Sequence, residues 1–131
     1  MNAIRALQSL GQGIWLECRV RELLESGKLE PYVERYAVTG LTSSAAFFSQ
    51  AISSSTAYDH DIRMYREYGL SSEQVFYELA VEDLARAAKA LAHVYNRAAG
   101  HDGFVSLDVS PFLAHSTEDL VLQATEFHRK L

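Results

Sequence analysis

Residues 104–109 read FVSLDV, and they decide the fold because they are the third short apolar run of one kind along the chain. The first run is GIWLEC at residues 13–18, and the second is AVTGLT at residues 37–42. Short apolar runs bounded by turn-forming residues are typical of buried parallel strands. The sequence therefore predicts three β-strands, near residues 13–18, 37–42 and 103–109.

The segments between these runs carry the spacing of amphipathic helices. Apolar residues recur every three or four positions before the first run, and again in the segments between and after the runs. Ser71 and Gln74 form an S-x-x-Q capping box that begins the longest helix, and Ser116 begins the last. Strands that alternate with helices predict parallel pairing, so we expect an α/β fold with a single domain over residues 1–131.

The predicted elements also suggest the N-terminal portion of a larger fold. Three strands are few for a closed α/β sheet. After the last helix, the alternation calls for another strand, and the sequence ends at that point.

Composition and charge exclude several classes of function. The chain has 131 residues, of which 48% are hydrophobic and 22% charged, and its net charge is −5. A weakly acidic chain without a basic stripe is a poor binder of nucleic acids and anionic membranes. Residues 1–13 lack the apolar core of a secretory signal, and no window reaches the roughly 18 apolar residues of a membrane span. We therefore expect a cytoplasmic protein that binds neither nucleic acid nor membrane.

Polar side chains lie at the end of each predicted strand, where parallel α/β folds place their functional groups. Glu17 lies near the end of the first run, and Ser106, Asp108 and Ser110 lie in or after the third. A carboxylate within an apolar strand is costly to bury unless it is paired or functional. Glu17 and Asp108 are therefore candidate acid/base groups with raised pKa values. The alternative is that they bind backbone amides or face solvent.

The hydroxyl run Thr42-Ser43-Ser44 allows two interpretations. In the first, these side chains donate hydrogen bonds to the oxygens of a substrate. In the second, one of them caps the helix that follows.

Metal and thiol chemistry are not expected. The five histidines show neither HxH nor HExxH spacing, and the chain has one cysteine. That residue, Cys18, is interpreted as a packing residue, because the neighbouring Glu17 should raise the pKa of its thiol. One cysteine also excludes an internal disulfide and suits a reducing compartment.

Four stretches of the sequence resemble one known family. They are RALQSLGQGIWLECRVRELLESGKL at 5–29, VTGLTSSAAFF at 38–48, AISSSTAYD at 51–59, and YELAVEDLARAAKALAHVYNRAAGHDGFVSLDVSPFLAHSTE at 77–118. Together they resemble the N-terminal part of transaldolases, especially the bacterial type also found fused to phosphoglucose isomerase. The second stretch is similar to the family's T-S-N-P signature, and the last contains a counterpart of its V-S-L-E-V-S-P motif.

The resemblance implies the N-terminal portion, about three strands plus helices, of a TIM-type (α/β)₈ barrel of the class I aldolase type. It also implies a transferase of the pentose phosphate pathway. Transaldolases move a dihydroxyacetone unit from a ketose phosphate such as sedoheptulose 7-phosphate to an aldose phosphate such as glyceraldehyde 3-phosphate. A lysine on their fourth strand forms a Schiff base with the donor. They use no metal or organic cofactor, so none is expected here.

The resemblance assigns catalytic roles to two carboxylates. The family's first-strand aspartate, an acid/base, falls on Glu17, and its third-strand glutamate, which orders the catalytic water, falls on Asp108. The lengths of the two side chains are therefore exchanged, which shifts each carboxylate by about 1 Å, enough to harm a catalytic geometry.

The other matched positions agree less well. Thr42 and Ser43 match the family signature, whereas Ser44 and Ala45 stand where the family has asparagine and proline. The resemblance makes Thr42, Ser43 and Ser44 the candidate substrate-binding residues. The Schiff-base lysine has no counterpart within the 131 residues, since Lys130 precedes the expected fourth strand.

Three hypotheses remain open at this point. The chain is the N-terminal fragment of a transaldolase-family enzyme, a shortened non-catalytic relative that binds a partner or a sugar phosphate, or one half of a split barrel. In each case we expect no transaldolase activity from this chain alone. Its exposed strand edge and apolar strand faces should favour self-association or require the missing barrel half.

Overall fold

The structure is a computed structural model, and it describes residues 3–131. Within them, three short strands alternate with seven α-helices and two single turns of 3₁₀ helix. In chain order, the elements are α1 (Ala3–Ser9), β1 (Trp15–Glu17), α2 (Val20–Glu25), α3 (Leu29–Tyr36), β2 (Gly40–Ser43), α4 (Ala45–Ser54), a 3₁₀ turn (Thr56–Tyr58), α5 (Asp59–Glu67), α6 (Ser72–Arg97), β3 (Val105–Leu107), a 3₁₀ turn (Pro111–Leu113) and α7 (Thr117–Lys130).

The observed strands are shorter than the predicted runs. β1 and β3 lie inside the predicted ranges, whereas β2 begins at Gly40, three residues later than predicted, and extends to Ser43. The later start follows from Ala37, which ends α3 in the left-handed conformation with φ 53° and donates its N–H to the carbonyl of Tyr32. A left-handed residue of this kind satisfies the last carbonyls of a helix, so Ala37 belongs to the helix exit rather than to the strand. Backbone bonding to the neighbouring segments begins at Thr39, which donates its N–H to Ile14 O and accepts the N–H of Gly103.

The three strands form one parallel sheet with β2 in the middle, as the α/β prediction requires. Residues that are partners in a parallel register point to the same face of the sheet, and successive residues alternate between faces. The register pairs Trp15 with Gly40, Leu16 with Leu41, Glu17 with Thr42, Leu41 with Val105, Thr42 with Ser106, and Ser43 with Leu107.

This register defines two faces of the sheet, the covered face and the open face. The covered face carries Leu16, Leu41, Ser43, Val105 and Leu107. The open face carries Trp15, Glu17, Gly40, Thr42 and Ser106.

The covered face holds the main hydrophobic core. Leu41 lies at its centre with 0% exposure, and Val105 and Leu107 pack against the same cluster. α6 contributes Leu84 and Leu91, both fully buried. Complete burial of a leucine side chain contributes about 1.5–3 kcal/mol to stability. The other buried members are Val20, Leu23, Leu29, Val33, Val38, Ala87 and Val94.

A second cluster joins α4, α5 and α6 beside the first. The ring of Phe48 meets the rings of Tyr58 and Phe76 edge to face, with centroid distances of 5.7 and 5.1 Å. Leu79 is fully buried in this cluster, and Leu107 of β3 packs against both clusters. The helices on this side of the sheet therefore share a continuous apolar interior.

The longest helix, α6, begins as the sequence predicts. The hydroxyl of Ser71 accepts the N–H of Gln74, and the Gln74 side chain accepts the N–H of Ser71, which completes the capping box. Satisfying these two amides stabilises a helix start by about 1 kcal/mol each. No helix within residues 3–131 combines the length and the hydrophobicity needed to cross a membrane.

The open face carries an aromatic side chain at its amino-terminal end. Trp15 is 43% exposed, and its indole lies directly over Gly40. A Cβ at position 40 would lie 2.4 Å from the indole ring, so a residue without a side chain is required there. The indole is the large apolar group that this face presents beside its polar side chains.

Candidate functional site

Three polar side chains form a row across the carboxyl ends of the strands. Glu17 is the register partner of Thr42, and Thr42 is the register partner of Ser106. The three therefore lie side by side on the open face. The hydroxyl of Ser106 donates a hydrogen bond to Thr42 Oγ1 over 2.8 Å. The row combines one carboxylate acceptor with two hydroxyls, a set suited to binding a ligand rich in oxygen atoms.

The two candidate acid/base residues are both exposed. Glu17 ends β1, and Asp108 follows the end of β3 by one residue and Ser106 by two. Neither carboxylate makes a hydrogen bond or an ion pair with any residue in the described range 3–131. The sequence-based alternative in which they bind backbone amides is therefore not observed. Both carboxylates remain accessible at the end of the sheet where a ligand would bind.

Ser43 and Ser44 differ in their surroundings from Thr42. Ser43 lies on the covered face with 3% exposure, and its hydroxyl has no hydrogen-bond partner among the described residues. The hydroxyl of Ser44 accepts the N–H of Phe47 over 3.5 Å and caps α4. The capping interpretation of the hydroxyl run is therefore confirmed for Ser44. Substrate contact by Thr42, Ser43 and Ser44 stays a prediction, and of the three only Thr42 lies in the row with Glu17.

Cys18 is a packing residue with an unreactive thiol. Its side chain packs against the main core, and burial raises the pKa of the thiol to about 11, with a further contribution from the negative charge of Glu17. The predicted direction of the shift is confirmed, although burial is a larger cause than Glu17. Across residues 3–131, no group of three or more His, Cys, Asp and Glu side chains is arranged to hold a metal ion.

Comparison with known proteins identifies the family. Residues 15–131 match the model of the Transaldolase/Fructose-6-phosphate aldolase family. The chain belongs to this family. A transaldolase of Saccharopolyspora erythraea is 38% identical to this transaldolase-family chain over 123 residues, which are 94% of the chain and 33% of the relative.

Two further relatives show the same coverage. Transaldolase 2 of Nostoc punctiforme is 32% identical over 130 residues, which are 99% of the chain and 34% of that protein. A transaldolase of Thiobacillus denitrificans is 34% identical over 124 residues, which are 95% of the chain and 34% of that protein. The chain thus spans about a third of the length of the curated relatives it matches, and the resemblance found in the sequence is confirmed.

A buried ionic network lies among the helices of this transaldolase-family chain, and the sequence analysis does not predict it. Arg21 of α2 donates from Nε to Asp83 of α6 over 2.7 Å and from one terminal nitrogen to Asp61 of α5 over 2.8 Å. The hydroxyl of Tyr58 donates to the other oxygen of Asp83 over 2.8 Å. The guanidinium carbon of Arg21 also lies 4.1 Å from the centroid of the Tyr58 ring. The network ties α2, α5 and α6 together.

Burial and pairing oppose each other within this network. Burial lowers the pKa of Arg21, but hydrogen bonds to Asp61 and Asp83 outweigh it, so the net shift is upward. Burial raises the pKa of Tyr58, and the charge of Asp83 raises it further. Burial also raises the pKa of Asp83, and the hydrogen bond from Arg21 opposes that shift. One pattern in the sequence could have indicated that Asp83 is buried. It lies four residues after Leu79 and four before Ala87, and all three are on the buried side of α6.

Proposed function

We propose that the 131-residue chain forms the N-terminal third of a transaldolase-type transferase. The proposed reaction moves a dihydroxyacetone unit from a ketose phosphate such as sedoheptulose 7-phosphate to an aldose phosphate such as glyceraldehyde 3-phosphate, through a lysine Schiff base. One observation carries the proposal: Glu17, Thr42 and Ser106 form a row at the carboxyl ends of three parallel strands in a chain of this family. Parallel α/β enzymes place their active sites at that end.

The proposal includes a complete barrel to which the three strands belong. A TIM-type barrel needs roughly 250 residues, and the chain spans about a third of its relatives. Strand edges without a partner tend to pair with further strands. β1 and β3 are the edges of the sheet within residues 3–131, and both could pair with strands supplied from outside these residues.

The proposed roles of the two carboxylates follow the family. Glu17 exchanges protons with the bound sugar, and Asp108 orders the water that takes part in proton transfer. Their exposure and their lack of ion pairs within the described range support these roles, because an unpaired carboxylate is available to a ligand. The exchange of side-chain lengths shifts each group by about 1 Å, and shifts of this size reduce rates substantially.

The Schiff-base lysine of the proposed reaction comes from outside the 131 residues. Lys130 is unsuited to the role, because it donates to Glu78 of α6 and lies 3.3 Å from Glu126 of its own helix, α7. The hydrogen bond to Glu78 raises the pKa of Lys130, whereas a Schiff-base nucleophile needs a neutral amine. Lys28 and Lys89 are exposed residues of the helix layer. Borohydride treatment of this chain with fructose 6-phosphate should therefore trap no covalent adduct.

A chimera tests the proposed function directly. Residues 1–131 replace the matching third of the Saccharopolyspora erythraea transaldolase, which then supplies the remaining strands and the lysine. We expect measurable transfer from sedoheptulose 7-phosphate to glyceraldehyde 3-phosphate in a coupled assay. A chimera that folds but shows no transfer activity would refute the proposal.

Matched variants of the chimera separate the two carboxylates from the rest of the chain. Glu17→Asp combined with Asp108→Glu restores the side-chain lengths of the family, and we expect activity to rise by up to about a hundredfold, the scale of a 1 Å misplacement. Glu82→Gln serves as the control, because Glu82 is an exposed residue of α6 and not a member of the row of side chains at the strand ends.

A second candidate is a non-catalytic relative that acts as a binding or assembly module. Ser44 and Ala45 favour it, since the family's asparagine amide is replaced by a hydroxyl that already caps α4. This candidate predicts self-association or capture of a barrel half, which light scattering at several concentrations would detect as a mass above that of the monomer. A cytoplasmic location belongs to both candidates, because a lone cysteine suits a reducing compartment.

A further inference from the structure

A hydrogen bond between two hydroxyls joins two strands at the candidate site. Ser106 Oγ donates to Thr42 Oγ1 over 2.8 Å, and the residues are direct partners in the register of β2 and β3. Both residues are half-buried on the open face. Thr42 is also the partner of Glu17 on its other side, so the hydroxyl pair lies beside an exposed carboxylate.

This bond determines which hydroxyl hydrogen remains free. A hydroxyl has one hydrogen to donate and two lone pairs that accept. Ser106 donates its hydrogen to Thr42, whereas the hydrogen of Thr42 has no acceptor within residues 3–131. Acceptance from Ser106 also occupies the side of Thr42 Oγ1 that faces β3. The Thr42 hydrogen is therefore turned away from β3.

We propose that Ser106 is a positioning residue that directs the Thr42 hydroxyl hydrogen toward a ligand on the open face. Thr42 then donates to a hydroxyl or carbonyl oxygen of a polyhydroxy ligand beside Glu17. The inference rests on the proposed function, because that function supplies such a ligand at these strand ends. A bare phosphate is disfavoured at the same position, since its charge has the same sign as that of Glu17.

Two other roles for Ser106 give different experimental results. If Ser106 contacts the ligand itself, its removal and the removal of the Thr42 hydroxyl weaken binding independently. If the bond only holds β2 and β3 together, its removal changes the unfolding equilibrium without changing the affinity for a ligand. A double-mutant cycle distinguishes independent from coupled effects.

The first arm of the test needs no ligand and uses the 131-residue chain. Ser106→Ala, Thr42→Val and the double variant are compared by urea unfolding. Loss of one hydrogen bond should raise the unfolding constant by roughly two- to tenfold in each single variant. The unfolding constant of the double variant should be no higher than that of the less stable single variant. If the two single-variant effects on the unfolding constant multiply in the double variant, the hydroxyls are not coupled and the inference is overturned.

The second arm titrates the same proteins with fructose 6-phosphate and, separately, with inorganic phosphate. Trp15, the only tryptophan, reports binding by fluorescence, and amide NMR shifts of β2 and β3 localise it. We expect Thr42→Val to raise the Kd about tenfold and Ser106→Ala about threefold, with the double variant equal to Thr42→Val. Ser106→Thr should restore the affinity to within about twofold, because it keeps the hydroxyl. Thr125→Val, which removes a hydroxyl of α7 that donates to Val121 O, is the control.

The outcomes separate this inference from the proposed function. Absence of fructose 6-phosphate binding to the unmodified chain overturns the inference, whereas the proposed function, which needs the complete barrel, is judged by the chimera assay. Binding that Ser106→Ala leaves unchanged overturns the inference and leaves the proposed function standing. Inorganic phosphate that binds at the same amides as tightly as the sugar phosphate also overturns it.

Discussion

Charged side chains are buried and paired on one side of the sheet and, within the described part of the chain, exposed and unpaired on the other. Behind the covered face, Arg21 and Asp83 are buried, and each makes close polar contacts with at least two partners. On the open face, Glu17 is exposed and has no partner within residues 3–131, and Asp108 is in the same condition beyond β3. A buried charge without a partner costs several kcal/mol, whereas an exposed charge is stabilised by water.

The difference separates structural charges from candidate functional ones. Arg21 and Asp83 are bound mainly to partners within the chain, and Arg21 Nη2 is the one buried nitrogen of this network without a hydrogen-bond partner among the described residues. The carboxylates at the strand ends are not committed to any contact in the described residues, so they can bind a ligand without loss of stability. The predictions below test this contrast between the two sides of the sheet.

The largest effect is expected at Asp83. Asp83→Ala leaves the Arg21 charge and the Tyr58 hydroxyl without their buried acceptor, and removal of one partner from a buried pair costs about 3–5 kcal/mol. Urea unfolding followed by circular dichroism measures the loss. Glu82→Gln is the control, because Glu82 is 46% exposed at 3.8 Å from Arg21, and it should cost at most about 0.5 kcal/mol. Equal losses for the two variants would contradict the structural role of Asp83.

A neighbouring pair of residues on β2 compares the two faces at one strand. Leu41→Ala empties the centre of the core and should lower the free energy of unfolding by about 2–5 kcal/mol. Thr42→Val, one residue later on the open face, removes one hydrogen bond and should cost about 0.5–1.5 kcal/mol. A larger loss for Thr42→Val than for Leu41→Ala would show that the assignment of the faces is wrong.

The contact between Trp15 and Gly40 should give an intermediate effect. Gly40→Ala places a methyl group against the indole, which must move, and overpacking of this kind costs about 1–3 kcal/mol. The emission of Trp15 should shift to longer wavelength as the ring becomes more exposed. In a Trp15→Ala background the same change should become neutral or stabilising, because alanine restricts the unfolded chain more than glycine does. A cost that persists in that background would exclude the ring contact as its cause.

The sequence predicted the layout of the fold well, because that layout depends on local patterns. The runs at residues 13–18, 37–42 and 103–109 located three parallel strands, and the S-x-x-Q pattern at Ser71 located the start of α6. The boundary of β2 was missed, because it depends on the left-handed conformation of Ala37, which alanine rarely adopts and no pattern marks.

The candidate site was predicted only in part, for a physical reason. Composition and position at strand ends identified Glu17, Asp108 and Thr42. They did not show that Ser43 is turned to the covered face, nor that Ser106 bonds to Thr42, because both depend on the pairing register. The Arg21–Asp83 contact was missed because its residues are 62 positions apart in the chain.

The Cys18 thiol provides a pH-dependent test of burial in the core behind the covered face. Only the thiolate reacts with iodoacetamide, and a pKa of about 11 leaves roughly a hundredfold less thiolate at pH 8 than a free cysteine has. The alkylation rate should rise with pH up to about pH 11, as followed by mass spectrometry. Glu17→Gln should change this profile less than unfolding in urea does, since burial is the main cause of the shift. A rate at pH 8 equal to that of the unfolded chain would contradict the burial of Cys18.

The smallest effect on stability is expected at the candidate acid/base residues. Glu17→Gln and Asp108→Asn keep the shape of each side chain and remove a charge that has no partner within residues 3–131. Each should change the free energy of unfolding by less than about 0.5 kcal/mol in urea unfolding. In the active chimera, the same variants should lower kcat by about 100-fold or more if these groups transfer protons. A variant that loses several kcal/mol of stability would instead place its carboxylate among the structural charges and remove the contrast between the two faces. Normal stability together with normal kcat would leave Glu17 and Asp108 as solvated carboxylates at a strand end, and the proposed proton transfer would then need other groups.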